Sequence, residues 1–307
     1  LVAFYFILYA VIRSPYELLW IVAFYLVTMG IYLSKSLWEY FIHGAGITEM
    51  GVRRLQGMDM TYSNDNALAA SVVYSLPILW FFYNVRAEFC ATWPDFWRKW
   101  FVRGLAGYAV LAAVSVMLTR SRMGVVGLIA FMVLLAMRKG SAVGKLASVA
   151  SIVLVCICTY FVVPADIQGR LQTMWKPVDV SDASDRSAHA SAEGRLAGLK
   201  AGIIMFKQHP IFGVGLDNFA SYRVAHVDGE GLDAHNLEGA LLGETGIVGC
   251  ACFTLLVLVA FANCRRVHSL ARKCDDQQLV VLGQFTQACR DTLLLLLILG
   301  QVSYNLQ

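Results

Sequence analysis

Charged residues are scarce in this 307-residue sequence. Asp, Glu, Lys and Arg together make up 15% of it and hydrophobic residues 58%, against about 25% and about 45–50% in a soluble domain. Helices with one polar face are also lacking, because the long apolar runs are apolar on all sides. These two absences exclude a soluble helical bundle. They predict an all-α, polytopic transmembrane helical bundle, since a spanning helix needs about 20 apolar residues.

About eight runs approach the length of a membrane span. We predict spans at 1–12, 17–42, 67–85, 100–118, 122–137, 145–163, 243–262 and 289–307. The sequence therefore divides into three parts. These are N-terminal transmembrane helices at 1–163 with a truncated first span, a long polar loop with short helices at 164–242, and C-terminal transmembrane helices at 243–307. Internal repeats are absent from the sequence.

Both ends of the sequence lie in apolar segments. Leu1 is not an initiator methionine, and no secretory signal precedes the first apolar run. Gln307 lies within or near the last predicted span. We therefore expect the sequence to be the central and C-terminal portion of a longer protein.

Basic residues are concentrated in one set of short loops. The positive-inside rule places these loops in the cytoplasm, so that 164–242, 43–66 and the turn from Arg120 to Arg122 lie on the opposite, external side. The basic residues are Arg13, Arg86, Arg98, Lys99, Arg103, Arg138, Lys139, Lys145, Arg265, Arg266, Arg272 and Lys273.

Cysteines are absent from the predicted external loops. All eight lie in predicted spans or cytoplasmic loops, whereas an oxidising compartment would favour pairing in external loops. Their spacing lacks the pattern of a zinc site. We interpret them as small packing residues and expect no metal.

Three residues on the external side are candidates for chemistry. Arg122 lies at the junction of two spans, where an arginine is either functional or an interfacial anchor. Arg120 points in a different direction, so that at most one of the two faces a given site. Arg195 is predicted to open a helix of about a dozen residues.

His235 is the third candidate, because it directly precedes another predicted helix. Arginines bind diphosphates bidentately, and a neutral histidine can deprotonate a hydroxyl. Arg122, Arg195 and His235 therefore indicate transfer of a group from a diphosphate-activated donor to an acceptor hydroxyl.

The other polar residues of the external loops have simpler explanations. Asn64 or Asn66 is expected to cap the helix that follows. Three further histidines are interpreted as solvated loop residues: His189, His209 and His226. Four acids could bind a cation, but we prefer to interpret them as solvated loop charges: Asp217, Asp228, Glu230 and Asp233.

The order of several motifs resembles the O-antigen ligase/O-antigen polymerase superfamily. The similarity covers most of the chain from about residue 50 to 262, and an external loop at 53–70 with Arg54, Gly57 and Asn66 shares it. Its most specific parts are HPIFGVG and the stretch from His-Asn to GETGIVG. The motifs are Ser121-Arg122-x-Gly124, Arg195 before an apolar helix, HPIFGVG at 209–215, His235-Asn236, and LLGETGIVG at 241–249.

The resemblance implies a multi-pass glycosyltransferase of the bacterial inner membrane, with its active site facing the periplasm. The implied donor is a glycan on undecaprenyl diphosphate, and the acceptor is a hydroxyl of lipid A-core, of another glycan or of a protein. Arg122 and Arg195 are implied to bind the donor diphosphate, and His235 to activate the acceptor. No cofactor, metal or nucleic acid is expected. The supporting residues are Asn236, Ser121, Gly213, Gly215 and Glu244.

This sequence departs from the family pattern at one pair of residues, and the resemblance is compatible with three functions. Relatives often carry an aromatic or bulky apolar pair where this sequence has Glu238-Gly239, which predicts a different acceptor surface or a weaker helix start. An O-antigen ligase is the preferred function. An O-antigen or exopolysaccharide polymerase and a protein O-glycosylation ligase are alternatives of the same superfamily. A non-catalytic transporter is disfavoured, because the sequence lacks repeat symmetry and broken helices at the membrane midplane.

Overall fold

The computed structural model describes residues 2–49, 52–58, 64–138, 143–144, 146, 183–273 and 276–300. The predicted sixth span at 145–163 and the first part of the polar loop therefore fall almost entirely outside the described residues. The described residues confirm the predicted all-α fold, to which they add one small β-hairpin. The three-part division at 163 and 242 stays a prediction.

The helices and strands follow one another along the chain in this order. The first half contains α1 Val2–Val11, α2 Pro15–Ile42, β1 Ile47–Glu49, β2 Val52–Arg54, α3 Asp65–Asn84, α4 Arg86–Phe89, α5 Asp95–Thr119 and α6 Arg122–Met137. The second half contains α7 Ala183–Gln208, α8 Phe219–His226, α9 Leu237–Ala240, a π-helical turn Leu241–Thr245, α10 Gly246–Ala271 and α11 Gln277–Gly300. The two strands pair antiparallel.

Five helical segments of the described part are long and apolar enough to cross a membrane. They are Pro15–Ile42, Asp65–Asn84, Asp95–Thr119, Leu237–Ala271 and Gln277–Gly300, and the apolar helix Arg122–Met137 is shorter. α11 begins at Gln277 rather than at the predicted 289, because Gln284, Thr286 and Gln287 separate its first apolar residues at 279–282 from the later apolar run. The predicted total of eight spans is not confirmed.

α3 is the central helix of the bundle. Most of its residues are buried against α5, α6 and α11, including Leu68, Val72 and Phe82. Gly127 of α6 leaves room for Val73, because a Cβ at this glycine would come within 2.9 Å of that side chain. The Tyr108 hydroxyl of α5 donates to the Ser75 hydroxyl of α3 at 2.7 Å. Buried polar groups in a membrane interior need such partners.

Candidate active site

The turn between α5 and α6 presents Arg122. α5 ends at Thr119, Arg120 has a positive φ of 53°, and the Ser121 hydroxyl caps α6 by accepting from the Gly124 amide at 3.3 Å. Arg122 is consequently the first residue of α6, as predicted. Gly124 allows α6 to approach α3, because a Cβ there would come within 2.9 Å of Ala69. The Ser121-Arg122-x-Gly124 motif thus sets both the turn and the helix packing.

The β-hairpin region packs against this turn. The Leu55 amide donates to the Leu118 carbonyl at 2.9 Å, and Arg54 forms a buried ion pair with Asp65 at 2.9 Å. The charge of Arg54 is close enough to act on Arg122 electrostatically. The 53–70 region therefore adds a further cation to the surroundings of Arg122.

Two asparagines at the start of α3 have different roles. Asn64 is the helix cap, since its side-chain oxygen accepts from the Asn66 amide at 2.8 Å. Asn66 instead accepts from the Ser121 hydroxyl. The Ser121 side chain is therefore engaged within the protein, and we assign to it the positioning of the Arg122 turn.

Arg195 lies within α7, and the prediction that it opens a helix is wrong. α7 begins at Ala183, twelve residues earlier, and ends at Gln208 immediately before His209-Pro210. The run before Arg195 looks like a linker because it is polar, but it is rich in alanine, which has the highest helix propensity. Burial lowers the pKa of the Arg195 guanidinium, and the positive charge of Arg122 lowers it further.

This effect of Arg122 on Arg195 indicates that the fold brings the two guanidinium groups within electrostatic range of one another. Both side chains are partly buried. Within the described part of the chain, neither forms an ion pair with a carboxylate. Two cations held together without an anion in contact constitute a site that favours an anionic ligand.

Asn236 joins the Arg195 helix to the segment that carries His235. Its side-chain amide donates to the Arg195 carbonyl at 2.9 Å and to the Ala234 carbonyl at 2.8 Å. Its side-chain oxygen accepts from the Gly239 amide at 2.6 Å and so caps α9. The buried Asn236 therefore uses both ends of its amide to fix one helix against the other.

Glycines make this helix contact possible. A Cβ at Gly198 would collide with the Ala234 carbonyl, and a Cβ at Gly202 would collide with the backbone of Gly239. A Cβ at Gly239 would itself come within 2.5 Å of the Asn236 side-chain oxygen. The glycine of Glu238-Gly239 is thus required by the packing. Asn236 caps this helix; the expected weaker helix start and the different acceptor surface stay predictions.

His235 lies directly before the cap, as predicted. Its side chain is exposed, while Ala234 and Asn236 on either side are buried. Its φ is 49°, and Arg120 and Asp217 are the other non-glycine residues with positive φ in the described part. Such backbone geometry is uncommon and is concentrated at functional sites. The fold therefore presents the imidazole outward from a rigid backbone.

The HPIFGVG turn packs against the break between the π-helical turn and α10. The helix is interrupted at Gly246, where φ is 61° and ψ is −158°. The Val214 and Gly215 amides donate to the Gly243 and Glu244 carbonyls, each at 2.9 Å. In return, the Ile247 amide donates to the Pro210 carbonyl at 2.8 Å. The two most specific sequence motifs therefore form backbone hydrogen bonds with each other.

Gly213, Gly215 and Glu244 belong to this packed region. Gly213 and Gly215 have φ values of 67° and 98°, and a Cβ at Gly213 would collide with the Glu244 backbone. The buried Glu244 carboxylate accepts from the Phe219 amide at 3.3 Å. The close approach of these glycines is to the protein's own backbone. All three residues support the framework below Arg195 and His235.

The break at Gly246 bears on the expectation that no helix is broken at the membrane midplane. About 28 Å of helix separates Gly246 from Arg265 at 1.5 Å per residue, close to the roughly 30 Å hydrocarbon thickness. The break therefore lies at one end of a stretch long enough to cross the hydrocarbon layer. The midplane of that span contains continuous helix.

Arg223 is a structural residue that the sequence did not reveal. It is almost fully buried in α8 and binds Asp228 at 2.7 Å, Glu230 at 2.8 Å and the Leu232 carbonyl at 3.2 Å. These hydrogen bonds lower the pKa of Asp228. Asp228 and Glu230 are exposed to solvent, as interpreted, but they also have a structural role, because they neutralise a buried arginine. In the sequence, the only sign of this cluster is that two acids follow Arg223 by five and seven residues.

Of the three histidines interpreted as loop residues, His189 instead lies within α7, and the other two have partners. His209 lies 2.9 Å from the Tyr222 hydroxyl, and His226 stacks on the Tyr222 ring with centroids 4.4 Å apart. His226 ends α8, so its interpretation as a loop residue is wrong. Within the described residues, no group of three or more His, Cys, Asp or Glu side chains is arranged to hold a metal ion.

The fold defines a polytopic helical membrane protein in which Arg122 acts electrostatically on Arg195 and Asn236 joins the Arg195 helix to the segment that carries the exposed His235. The family described as O-antigen ligase matches residues 107–254 of the chain. The match includes Arg122, Arg195 and His235, confirms the resemblance to the O-antigen ligase/polymerase superfamily and supports a membrane glycosyltransferase of ligase or polymerase type. A search of the curated proteins finds no match.

Proposed function

We propose that this protein transfers a glycan from an undecaprenyl-diphosphate carrier to an acceptor hydroxyl at the periplasmic face of the bacterial inner membrane. The observation that carries the proposal is the electrostatic proximity of Arg122 and Arg195, with His235 joined to the Arg195 helix through Asn236. An anion site and a proton acceptor are the two parts that this transfer requires.

In this mechanism the two guanidinium groups bind the donor diphosphate. Charge-assisted, bidentate hydrogen bonds suit phosphate oxygens, and they strengthen as negative charge develops on the leaving group. No metal is required for this neutralisation in the proposed mechanism. The partial burial of both arginines increases the effect, because an electrostatic interaction is stronger where water is excluded.

His235 acts as the general base. Its ring nitrogen accepts the proton of the acceptor hydroxyl while the oxygen attacks the anomeric carbon of the donor sugar. The bond between that carbon and the diphosphate oxygen breaks, and the electron pair leaves with undecaprenyl diphosphate. The exposure of the His235 side chain allows a bulky acceptor to reach it.

The test compares His235→Ala with His226→Ala, a second exposed histidine of the same polar region. The full-length protein is reconstituted in lipid and supplied with an undecaprenyl-diphosphate glycan and lipid A-core. We expect His235→Ala to lower the transfer rate by about 10²–10⁴-fold and to leave donor binding nearly unchanged, whereas His226→Ala transfers normally. Transfer at the normal rate by His235→Ala would contradict the mechanism.

The acceptor decides between the members of the superfamily. We favour an O-antigen ligase, for which lipid A-core is the acceptor. A polymerase would lengthen the glycan on its own carrier, and a protein O-glycosylation ligase would modify a serine or threonine hydroxyl. Analysis of the products from these three acceptors separates the functions, because the chemistry at Arg122, Arg195 and His235 is the same in all.

A further inference from the structure

A second group of cations lies at the other end of the membrane-spanning helices. α10 and α11 run antiparallel, and a cavity of about 400 Å³ lies between the end of α10 and the first half of α11. Arg265, Arg272 and Lys273 line it from α10 and the turn that follows, and Arg290 lines it from α11. This end is the one that the distribution of basic residues predicts to be cytoplasmic.

The cations converge on the cavity. Arg265, Ser269 and Arg272 are separated by four and seven positions, so that they share one face of α10. Arg266 is adjacent in sequence to Arg265 and is absent from the cavity lining. An even scatter of basic residues around the helix end would satisfy the positive-inside rule equally well. The observed arrangement instead builds a concave site.

The positive charge of this cavity is only partly balanced. Among the described residues, no carboxylate pairs with Arg265, Arg272 or Lys273. Arg290 binds the buried Asp291 at 3.2 Å, but Asp291 also binds Arg138. One carboxylate is therefore shared between two arginines, and the cavity keeps a net positive charge.

Polar uncharged groups complete the lining. Gln287 of α11 places its side-chain nitrogen 3.1 and 3.2 Å from the two ring nitrogens of His268. The Thr286 hydroxyl donates to the Gly283 carbonyl at 2.8 Å, and His268 approaches the same carbonyl at 3.3 Å. These contacts hold α10 and α11 together behind the cations. The shape of the cavity is thereby fixed without neutralising it.

The cavity lies at the level of lipid headgroups. If Gly246 marks the external boundary, Arg265 lies about 28 Å further along the helix axis, at the opposite edge of a hydrocarbon layer of about 30 Å. The polar layer beyond that edge is about 5–7 Å deep, and Arg272 lies about 10 Å beyond Arg265. The cations therefore span this layer.

An apolar surface continues from the cavity towards the membrane centre. Leu255 and Leu258 of α10 are exposed, and they share the helix face of Ser269 and Arg265, which follow them by fourteen and seven positions. None of the most apolar stretch of the Leu237–Ala271 segment is buried within the described chain. A lipid molecule placed here would set its phosphate among the arginines and its acyl chains along these leucines. A soluble anion would use only the cavity.

We propose that this cavity binds the phosphate group of an anionic phospholipid from the cytoplasmic leaflet. Guanidinium groups bind phosphate oxygens bidentately, and basic pockets between membrane helices are suited to anionic headgroups. The shared chemistry is phosphate recognition, and the adjoining leucines favour the lipid over free phosphate. The site is separate from the candidate active site and does not depend on the proposed reaction.

The test counts lipids that remain bound to the full-length protein. The protein is purified in detergent and mixed with phosphatidylglycerol or phosphatidylcholine, and retained lipid is measured by native mass spectrometry. We expect the double variant Arg265→Gln/Arg272→Gln to bind phosphatidylglycerol about 30-fold more weakly, from about 1 kcal/mol for each cation. Arg266→Gln is the matched control and is expected to change binding less than about twofold, because it lies outside the cavity.

Several outcomes would overturn the proposal. Equal losses in the double variant and in Arg266→Gln would show a general effect of surface charge. Equal retention of phosphatidylcholine and phosphatidylglycerol would show that the site does not select an anion. Inorganic phosphate is also titrated calorimetrically without added lipid. If the unaltered protein and Arg266→Gln bind this phosphate and the double variant does not, the cavity would be assigned to a soluble anion. Size-exclusion profiles identical to that of the unaltered protein establish that the variants are folded.

Discussion

The side-chain amide of Asn236 donates a hydrogen bond to the backbone carbonyl of Arg195 at 2.9 Å. This contact links two residues forty-one positions apart, and it places an arginine helix and a histidine turn in one rigid unit. The same amide caps α9. A single side chain therefore couples the proposed donor site to the proposed base.

Replacement of Asn236 tests this coupling. Asn236→Ala removes three hydrogen bonds, one of which caps α9, so we expect a loss of about 1–2 kcal/mol in the free energy of unfolding and a fall in transfer rate. The measurements are thermal unfolding in detergent and the transfer assay. Asn218→Ala is the control, because Asn218 precedes α8 without a side-chain capping bond. Equal effects of the two substitutions would contradict the role given to Asn236.

The two arginines are expected to act on donor binding as a pair. Arg122→Ala and Arg195→Ala each remove charge-assisted hydrogen bonds worth about 1.5–3 kcal/mol, so the donor KM should rise about 10–100-fold. The double variant should show less than the sum of the two effects, because both groups bind one diphosphate. Arg120→Ala, in the same turn, is the comparison variant. A larger effect of Arg120→Ala than of Arg122→Ala would reassign the site.

The close packing at Gly213 gives a sharp prediction about the HPIFGVG turn. Gly213→Ala places a Cβ against the Glu244 backbone and should prevent the turn from docking, with a loss of more than about 3 kcal/mol in stability. Gly229→Ala is the matched control, since Gly229 also has a positive φ, at 81°, but no atom lies within 4 Å of its Cβ position. It should cost only about 1 kcal/mol. Thermal unfolding distinguishes the two, and similar losses would show that backbone strain alone is responsible.

The Arg223 cluster should respond asymmetrically to substitution. The double variant Asp228→Asn/Glu230→Gln leaves the Arg223 charge buried without an anion, and it should destabilise the protein more than Arg223→Met. After Arg223→Met, both carboxylates remain accessible to water. Asp233→Asn, at an exposed acid of the same loop, should have little effect. Unfolding curves of these variants in detergent measure the order, and the reverse order would refute the explanation.

The same cluster predicts a dependence on pH. The pKa of Asp228 is lower in the folded protein than its ordinary value of 3.8, because Arg223 donates to it. Its contribution to stability is therefore fully present above that ordinary value and is lost as the pH falls through the lowered pKa. We therefore expect the free energy of unfolding to fall below about pH 4 as Asp228 is protonated. The fall should be smaller in Asp228→Asn, which lacks this carboxylate. Parallel pH profiles of the two proteins would contradict this assignment.

The membrane helices could be read from the sequence because hydrophobicity alone specifies them. Burial of uninterrupted apolar residues in lipid requires no knowledge of the partner helix. The predicted span at 122–137 agrees with the helix in the structure, and the span at 17–42 agrees within two residues. α11 was predicted to begin too late for the same reason, since polar residues interrupt the apolar residues of its first half. A hydrophobicity signal ends where the apolar residues end.

The polar region was predicted less well because tertiary contacts decide its form. The alanine-rich run before Arg195 reads as a linker, yet it lies within a helix whose second half packs on the His235 segment. Arg223 carries no local signal of burial. Its partners Asp228 and Glu230 are ordinary loop acids until α8 turns the guanidinium towards them.

The sequence by itself determined the class of protein, several of its long apolar helices, and the residue types suited to binding a diphosphate and accepting a proton. Only the tertiary structure decided that Arg122 and Arg195 lie near each other and that Asn236 ties the Arg195 helix to His235. It also showed that the HPIFGVG and GETGIVG motifs are joined by backbone hydrogen bonds. Hydrophobic length is a local property of a chain, whereas the approach of two backbones through glycines depends on residues far apart in the sequence.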